Sequence, residues 1–288
     1  MEDLPALIRL KYLTRTNRWT TLPPNRPVTL LQATDGDRTT SLLWRELLAG
    51  YGVHDVVSTV LHDQFGCWGF FDLWRMGGAF SADECDLLGE LMGVVTSSLR
   101  HSLAATFAPR RPDSDAKGGP AVLLLSEDME LLSQTAPTDE YLRALLPTDA
   151  DRVPVPAGAY HAAAQLLANE QGVDSHPPEA RAHVRSGLWV TLRAARIEKR
   201  SPGVAASIAV SMEPTPPAER AALYGRVVGL SERERDLLHH LVGGNDTREL
   251  ARRLFVSEHT VQDHLKSIFV KTGVHSRRML IARATGVA

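Results

Sequence analysis

The sequence is poor in cysteine and has no long apolar run. Its 288 residues include two cysteines, Cys67 and Cys85, which are too few for a disulfide framework and are typical of a reducing compartment. No stretch approaches the roughly 18 consecutive apolar residues that a membrane-spanning helix needs. The opening Met-Glu-Asp-Leu-Pro lacks the positive and apolar segments of a secretory signal. These absences predict a cytoplasmic protein without a membrane partner.

Motifs of catalysis are absent as well. The sequence contains no phosphate-binding glycine loop, no metal-ligand cluster and no nucleophile motif. His62, Asp63 and Cys67 lie close together in sequence, but a catalytic set is made of neighbours in space, and nothing else supports one. Cys67 beside Trp68 is better explained as a small buried hydrophobic residue than as a redox sensor. We therefore expect no enzymatic activity, no cofactor and no metal.

The basic residues are concentrated at the end of the chain. The formal net charge is −2, which by itself argues against a nucleic-acid partner. From residue 229 onward, ten lysine and arginine residues stand against seven acidic ones, which leaves 22 against 27, or −5, for residues 1–228. This distribution is typical of a small DNA-binding module on an acidic regulatory body, although solvated helices also carry such an excess.

Two segments rich in proline, glycine and charge divide the chain. The first extends over 109–119, and the second begins with Glu213-Pro-Thr-Pro-Pro217. The predicted division is a first region at 1–108, the linker at 109–119, a second region at 120–213, a linker and connecting helix at 214–228, and a C-terminal domain at 229–288.

Both N-terminal regions mix helices with strands that short turns connect, which predicts α+β folds with antiparallel sheets. In the first region the pattern predicts a helix at 40–48, strands at 55–61 and 67–75, and a long helix that begins with a capping box at 81–84. In the second it predicts strands at 121–125 and 129–133, helices at 140–146 and 159–169, and strands at 183–197 and 204–212 around a turn at 199–203.

The C-terminal region is predicted to be all-α, with four short helices. Capping boxes at Ser231–Glu234 and Asp246–Glu249 begin the first two helices. Ser257 caps a third helix only three residues after the second ends at Leu254, so these two helices must pack across a short turn. A final helix is predicted over 277–285.

The third of these helices has two distinct faces. Apolar residues recur at i, i+4 and i+7 and would face the core: Val261, Leu265 and Ile268. Hydrogen-bonding side chains recur at i, i+3, i+4 and i+7 on another face: His259, Gln262, Asp263 and Lys266. A polar helix that a tight helix-turn-helix presents can enter and read the major groove, whereas the alternative is a solvated helix face.

The residue string itself resembles the LuxR/GerE/NarL family of helix-turn-helix regulators. The resemblance runs without a gap over about 229–287 and includes Leu-Ser-Glu-Arg-Glu-Arg-Asp-Leu-Leu, Glu-Leu-Ala-Arg-Arg-Leu-Phe-Val-Ser-Glu-His-Thr-Val-Gln-Asp-His-Leu-Lys and Lys-Thr-Gly-Val-His-Ser-Arg. It implies a transcription regulator whose third helix enters the major groove of double-stranded DNA. It also implies a homodimer, often paired through the fourth helix, with RNA polymerase and a small-molecule effector as further partners.

The resemblance also implies roles for individual residues. Base contacts would come from Gln262, Asp263 and Lys266, and phosphate contacts from Thr260, Lys271, Arg277 and the cap residue Ser257. Asp263 departs from the family pattern, because many members carry an apolar or basic residue there. A carboxylate accepts only from the amino groups of cytosine or adenine, so Asp263 either reads a base narrowly or points away from the DNA.

The first region resembles a GAF domain around Gly66–Arg75 and the helix that follows, and the second resembles a PAS domain. Against the GAF pattern the first region is expected to be N-terminally shortened, which would leave an exposed sheet edge for dimer pairing. Four aromatic residues of the first region could line a ligand pocket or fill a core: Trp44, Trp68, Phe70 and Trp74.

A phosphorylation-driven response regulator with the same output domain is the alternative. It would need a doubly wound N-terminal domain with an acidic pair after its first strand. Residues 1–30 contain no strand of that kind with paired carboxylates. The prediction is therefore a DNA-binding regulator whose N-terminal regions respond to a ligand or a partner.

Overall fold

The computed structural model of the chain describes residues 3–107, 119–145, 155–184, 187–198 and 207–287. The predicted linker at 109–119 lies outside these residues except for Gly119, and the predicted turn at 199–203 lies wholly outside them. Within the described ranges, no helix is both long and apolar enough to cross a membrane.

The first region is built on a three-stranded antiparallel sheet in the order β1-β2-β3. Its elements are α1 (Leu4–Leu13), β1 (Val28–Thr29), α2 (Leu30–Ala33), β2 (Asp55–Asp63), β3 (Gly66–Arg75) and α3 (Ala82–Ala105). The buried Asp55 carboxylate accepts the backbone N–H groups of Leu31 and Phe80, so it joins β2 to α2 and to the loop before α3. The predicted strand pair and its antiparallel pairing are confirmed.

Two helix predictions in this region had different outcomes. The capping box at the start of α3 is confirmed, since Glu84 N donates to Ser81 Oγ at 3.2 Å and Ser81 N donates to Glu84 Oε2 at 2.8 Å. The short helix predicted at 40–48 is present over 42–48, but Trp44–Leu48 is π-helical, and Thr40 belongs to a separate 3-10 turn at Arg38–Thr40. The indole Nε1 of Trp44 donates to the Val53 carbonyl at 2.9 Å and holds this segment against the chain that follows.

The second region is a five-stranded antiparallel sheet in the order β5-β4-β8-β7-β6. Its elements are β4 (Ala121–Leu125), β5 (Leu131–Gln134), α4 (Ala136–Leu145), α5 (Ala157–Glu170), β6 (Glu179–His183), β7 (Trp189–Ile197) and β8 (Ser207–Pro214). The alanines of α5 bring its backbone close to the sheet, and α1 adds Ile8, Tyr12 and Leu13 to the same core. The first helix of the chain therefore packs with the second sheet.

Two strand predictions in the second region were wrong in extent. The single strand predicted at 183–197 is a hairpin of β6 and β7, because Gly187 adopts a φ of 76° and Val184 N donates to the Leu188 carbonyl at 2.7 Å. The strand predicted at 129–133 begins at Leu131, because Met129 has a φ of 68° and belongs to the preceding turn. A residue with a positive φ leaves the extended conformation and ends the regular pairing of a strand. The pattern of apolar residues does not indicate where this happens.

The C-terminal part is helical and shares its core with the two N-terminal regions. Its elements are α6 (Pro217–Val227), α7 (Glu232–Val242), α8 (Thr247–Leu254), α9 (Glu258–Thr272) and α10 (Arg277–Thr285). Leucines of α7, α8 and α10 surround Tyr224 of α6 and the apolar face of α9. Phe107, from the end of α3, and Trp189, from the start of β7, complete this core, with their rings stacked at 5.0 Å.

Candidate nucleic-acid interface

A tight turn sets the angle between α8 and α9. Phe255 ends α8 in the left-handed conformation, with a φ of 55°, and its side chain is 95% exposed. Two residues later, Ser257 Oγ accepts the backbone N–H of Thr260 at 3.1 Å and begins α9. The predicted short turn and serine cap are confirmed. The turn brings Leu250 of α8 into the same buried cluster as Val261 of α9.

The predicted separation of α9 into two faces is confirmed. Val261, Leu265 and Ile268 are at most 2% exposed and pack into the core. Gln262, Asp263 and Lys266 all lie on the exposed side of the helix. The apolar face is fixed in the core, so these exposed side chains form a polar row that projects from the protein in one direction. A helix without packed contacts would not hold the row in a fixed orientation.

Asp263 lies between two donors of its own helix. Lys266 Nζ is 3.1 Å from Asp263 Oδ1, and His259 Nε2 is 3.5 Å from Asp263 Oδ2. The hydrogen bond from Lys266 is the main cause that lowers the pKa of Asp263. All three side chains are more than half exposed, so water and DNA groups can compete for each of them.

The residues predicted to contact phosphate fall into two groups. Ser257 and Thr260 lie together at the start of α9, with their hydroxyl oxygens 2.9 Å apart. Lys271 and Arg277 instead hold the helices together: Lys271 Nζ is 2.6 Å from Glu234 Oε2, and Arg277 Nη2 donates to Thr247 Oγ1 at 2.7 Å. Any contact that Lys271 or Arg277 makes with DNA would use their remaining donors.

Glu234 connects α7 to α9, and the sequence analysis predicted only its part in the capping box of α7. Its side chain is almost wholly buried and accepts from Ser231 N at 2.7 Å, Ser267 Oγ at 2.6 Å and Lys271 Nζ at 2.6 Å. Burial by itself would raise the pKa of Glu234, but the hydrogen bonds, first that from Lys271, lower it to about 2. The capping box predicted the hydrogen bond between Glu234 and Ser231. The hydrogen bonds from Ser267 and Lys271 of α9 form only in the folded chain, because these residues are far from Glu234 in the sequence.

Arg220 of α6 is the second residue that sequence reasoning missed. Its guanidinium is buried and donates to the carbonyls of Arg283 and Ala284 at 2.5 and 2.8 Å, and to the Gly187 carbonyl at 3.3 Å. Burial lowers its pKa to about 10, so it stays charged at neutral pH. A cation at the last carbonyls of α10 is also favoured by the helix dipole. Arg220 thus joins the connecting helix α6 to the second region at Gly187 and to the end of α10.

The structure does not bring the four aromatic residues of the predicted ligand pocket around one cavity. Trp44 and Trp74 pack against one apolar core. Phe70 stacks on Trp19 at 5.3 Å. The indole Nε1 of Trp68 donates to Asp63 Oδ1 at 2.9 Å beside the C-terminal core. These residues therefore fill separate parts of the fold, which is the alternative that the sequence left open.

Comparison with known proteins identifies the C-terminal helices. Residues 228–284 match the family model GerE, described as bacterial regulatory proteins of the luxR family. The chain is 40% identical over 55 residues to the CsgBAC operon transcriptional regulatory protein of Escherichia coli K12 and to the probable csgAB operon transcriptional regulatory protein of Salmonella typhimurium LT2. These matches cover 19% of this chain and 26% of each relative, so the chain spans about a quarter of the length of either protein.

A shorter relative is matched over most of its length. The chain is 38% identical over 52 residues to the spore germination protein GerE of Bacillus subtilis 168, which covers 18% of this chain and 70% of that protein. Among solved structures, the chain aligns with the crystal structure of the phage VqmA-DPO complex at 17% identity over 64% of this chain and 86% of that one. The TM-score of 0.21 is too low to relate the two folds. Through the helix-turn-helix that it shares with GerE, the chain belongs to the luxR family of bacterial regulatory proteins.

Proposed function

We propose that this protein is a sequence-specific regulator of transcription that binds double-stranded DNA by inserting α9 into the major groove. The observation that carries the proposal is the exposed polar row of α9, which is held in a fixed direction by its buried apolar face. The family membership supports the same function, and two relatives are named as transcriptional regulatory proteins. No enzymatic activity is part of this proposal.

Three side chains are assigned to base contacts by their chemistry. Lys266 donates to the O6 and N7 acceptors of guanine, and Gln262 can donate to and accept from adenine. Asp263 is restricted to the amino groups of cytosine and adenine. In the free protein Asp263 accepts from Lys266, so binding exchanges an exposed internal ion pair for contacts to base edges. An ion pair exposed to solvent contributes little free energy, so breaking it costs little when DNA binds.

The phosphate contacts are assigned to both ends of α9 and to the start of α10. Ser257 and Thr260 offer hydroxyl groups at the N-terminus of α9, where the helix dipole also favours an anion. Lys271 has three donors and Arg277 has five, so each can reach a phosphate while it keeps its internal bond. Phosphate contacts of this kind position the helix and carry no sequence information.

We propose a homodimer on a two-fold symmetric site, with its main contact on α3. The apolar residues of α10 are largely used within the chain, because Leu280 and Ala284 are fully buried and Met279 is the exposed one of the set. The face of α3 that points away from its sheet instead exposes large apolar side chains at helical spacing, namely Leu87, Leu91, Val94 and Val95. A second copy would cover this stripe and place two α9 helices for half-sites about 10 base pairs apart.

The N-terminal regions are proposed to be GAF-like and PAS-like sensors that act on DNA binding through α6. The antiparallel sheets with packed helices support this assignment, and the core that Phe107 and Trp189 share with Tyr224 of α6 provides the physical connection. Rearrangement around Trp189 or Gly187 would move the partners of α6 and, through Arg220, the end of α10. A signal changes DNA affinity only if it favours one of two such arrangements.

The phosphorylation-driven alternative finds no support in the described residues. A doubly wound receiver domain is built on parallel strands, whereas every pairing between named strands of the described ranges is antiparallel. RNA polymerase remains a proposed partner of a regulator of this family.

Selection from a random double-stranded library tests the proposed function. The full chain is incubated with the library at about 150 mM salt, bound DNA is recovered over several rounds, and the product is sequenced. We expect one enriched motif with two-fold symmetry. Recovery of unenriched DNA, or of none, would contradict sequence-specific binding.

A further inference from the structure

A cavity lies where the β2–β3 hairpin meets α6 and α7. Its volume is about 540 Å³, within the range of small-molecule sites. The hairpin contributes residues 62–66, α6 contributes a row of alanines and Arg226, and α7 contributes residues from Arg235 to Val242. The lining therefore comes from the first region, the connecting helix and the first helix of the DNA-binding module.

Two guanidinium groups face this cavity. Arg226 is half-buried, and its Nε donates to the Phe65 carbonyl at 2.7 Å. Burial lowers the pKa of Arg226, and the neighbouring charge of Arg235 lowers it further. Across the part of the chain that the structure describes, neither Arg226 nor Arg235 forms an ion pair with a carboxylate. Two adjacent cations that form no ion pair with a carboxylate favour an anion between them.

Two carboxylates line the cavity, but neither forms an ion pair with Arg226 or Arg235. The charge of Asp63 raises the pKa of Arg226, after the larger effects of burial and of Arg235. The hydrogen bonds of Asp63 go to Arg100 Nε at 2.8 Å and to the Trp68 indole at 2.9 Å. Asp236 also lines the cavity, but its side chain is exposed to solvent on α7. The excess positive charge is therefore concentrated at Arg226 and Arg235.

The remaining wall combines apolar side chains with the polar side chains of His62, Gln64 and His239. Its apolar part limits the class of ligand. It is formed by aliphatic side chains of α6 and α7 and by the hairpin ring: Ala218, Ala221, Ala222, Leu238, Val242 and Phe65. An inorganic anion would leave this surface without a partner, and a cation would be repelled by the guanidinium groups. The lining fits an anion with an apolar body.

Gly66 makes room for one of the two cations. It has a φ of 140°, and a Cβ atom built there would lie 1.8 Å from Arg226 Nη2. Any side chain at this position would push the guanidinium away from the hairpin. The guanidinium also lies over the Trp68 ring, with its central carbon 5.3 Å from the ring centroid. Arg226 is therefore fixed in place before any ligand arrives.

We propose that this cavity binds a small organic carboxylate with an apolar body, and that Arg226 and Arg235 together hold the carboxylate group. The apolar body lies along the alanine row of α6 and against Leu238. Because the ligand contacts the hairpin and α7 at the same time, its binding changes how the first region and the DNA-binding module are held together. This last step rests on the proposed function, whereas the binding itself does not.

The test uses the full chain and two probes of equal length and opposite charge, decanoate and decylamine, below their micelle-forming concentrations. Isothermal titration should give saturable binding of one decanoate and no binding of decylamine. Arg226→Gln and Arg235→Gln should each weaken decanoate binding by about tenfold or more, as expected for the loss of a charge-assisted contact. Arg233→Gln, an exposed position on the same helix, is the matched control and should leave binding unchanged.

The outcomes separate this proposal from the proposed function. Equal binding of both probes, or unchanged decanoate affinity in both pocket variants, would overturn the site. Circular dichroism checks the folds. If Arg226→Gln unfolds, Arg235→Gln decides alone, because the Arg235 side chain makes no hydrogen bond within the described residues. If the pocket variants weaken DNA binding while decanoate binding is intact, the two arginines contact DNA phosphate and the proposal fails. Failure to select a DNA motif leaves the decanoate titrations interpretable.

Discussion

Neutralising Glu234 tests whether the helix-turn-helix is held by one buried carboxylate. Glu234→Gln keeps the shape of the side chain but removes the charge that Lys271 and Ser267 contact at 2.6 Å. The pKa of Glu234 falls from 4.5 to about 2 in the folded chain, and at about 1.4 kcal/mol per pKa unit the native charge contributes about 3 kcal/mol. The Lys271 side chain is 36% exposed, so solvent weakens its ion pair with Glu234. We therefore expect Glu234→Gln to lower the free energy of unfolding by about 2 kcal/mol.

Hydrogen exchange measured by mass spectrometry can localise this loss. Peptides from α7 and α9 of Glu234→Gln should exchange about thirtyfold faster than those of the wild type at pH 7, which corresponds to about 2 kcal/mol of opening free energy. Glu232→Gln, in the exposed first turn of the same helix, is the control and should change the exchange rates by less than about twofold. Equal exchange in the two variants would refute the structural role of Glu234.

The same bond gives a pH dependence with a defined sign. Since the pKa of Glu234 is lowered in the folded state, the contribution is present above about pH 4.5 and is lost as the pH falls toward 2. The difference in unfolding free energy between wild type and Glu234→Gln should therefore shrink over that interval. A difference that stays constant from pH 7 to pH 2.5 would show that its origin is packing and not charge.

Three further predictions concern other parts of the molecule. Asp263→Asn should raise affinity for arbitrary DNA several-fold, because it removes a charge that repels phosphate and frees Lys266, and fluorescence anisotropy at fixed salt would measure this change. Arg220→Gln should destabilise the end of α10 by about 1–3 kcal/mol, because it leaves buried carbonyls unpaired, and faster exchange confined to α6 and α10 is the expected signature. Val94→Glu should yield monomers in sedimentation velocity while Met279→Glu stays dimeric, and the reverse pattern would place the dimer contact on α10.

The elements predicted correctly are those whose start or buried face depends on residues that lie close together in the sequence. The predicted caps Ser231, Asp246 and Ser257 begin α7, α8 and α9, and the apolar spacing of α9 predicted its buried face. The capping box predicted at Asp246–Glu249 is wrong, because the Glu249 side chain accepts from Arg252 and Arg253 and not from Asp246 N. The β2–β3 hairpin followed from two apolar runs around a glycine turn. The wrong extents arose where a backbone conformation with positive φ interrupts an apolar run, as at Met129 and Gly187.

The contacts that local patterns could not predict are those between distant segments. Glu234 contacts α9 more than thirty residues away, and Arg220 contacts the last helix more than sixty residues away. Phe107 and Trp189 belong to the two N-terminal regions in sequence, yet they share a core with Tyr224 of α6. Periodicity shows that such side chains are buried but does not show which segment covers them. For this reason the exposed polar face of α9 was predictable and the connection to the N-terminal regions was not.

The central claim is that Lys266 reads a base, and affinity measured across sequences tests it most directly. The full chain and three variants, Lys266→Ala, Lys271→Gln and Val270→Ala, are titrated against the selected motif and against the motif with each base pair changed in turn, at several salt concentrations. Lys271→Gln removes the charge but keeps a donor for Glu234, and circular dichroism checks its fold. We predict that Lys266→Ala loses about 1–3 kcal/mol on the motif and no longer distinguishes one base pair, while Lys271→Gln weakens all sequences alike and lowers the salt slope by about 1. Val270→Ala, at a position 84% exposed on the same helix, should match the wild type. If Lys266→Ala discriminates among the sequences as the wild type does, α9 does not read DNA through this residue and the account is wrong.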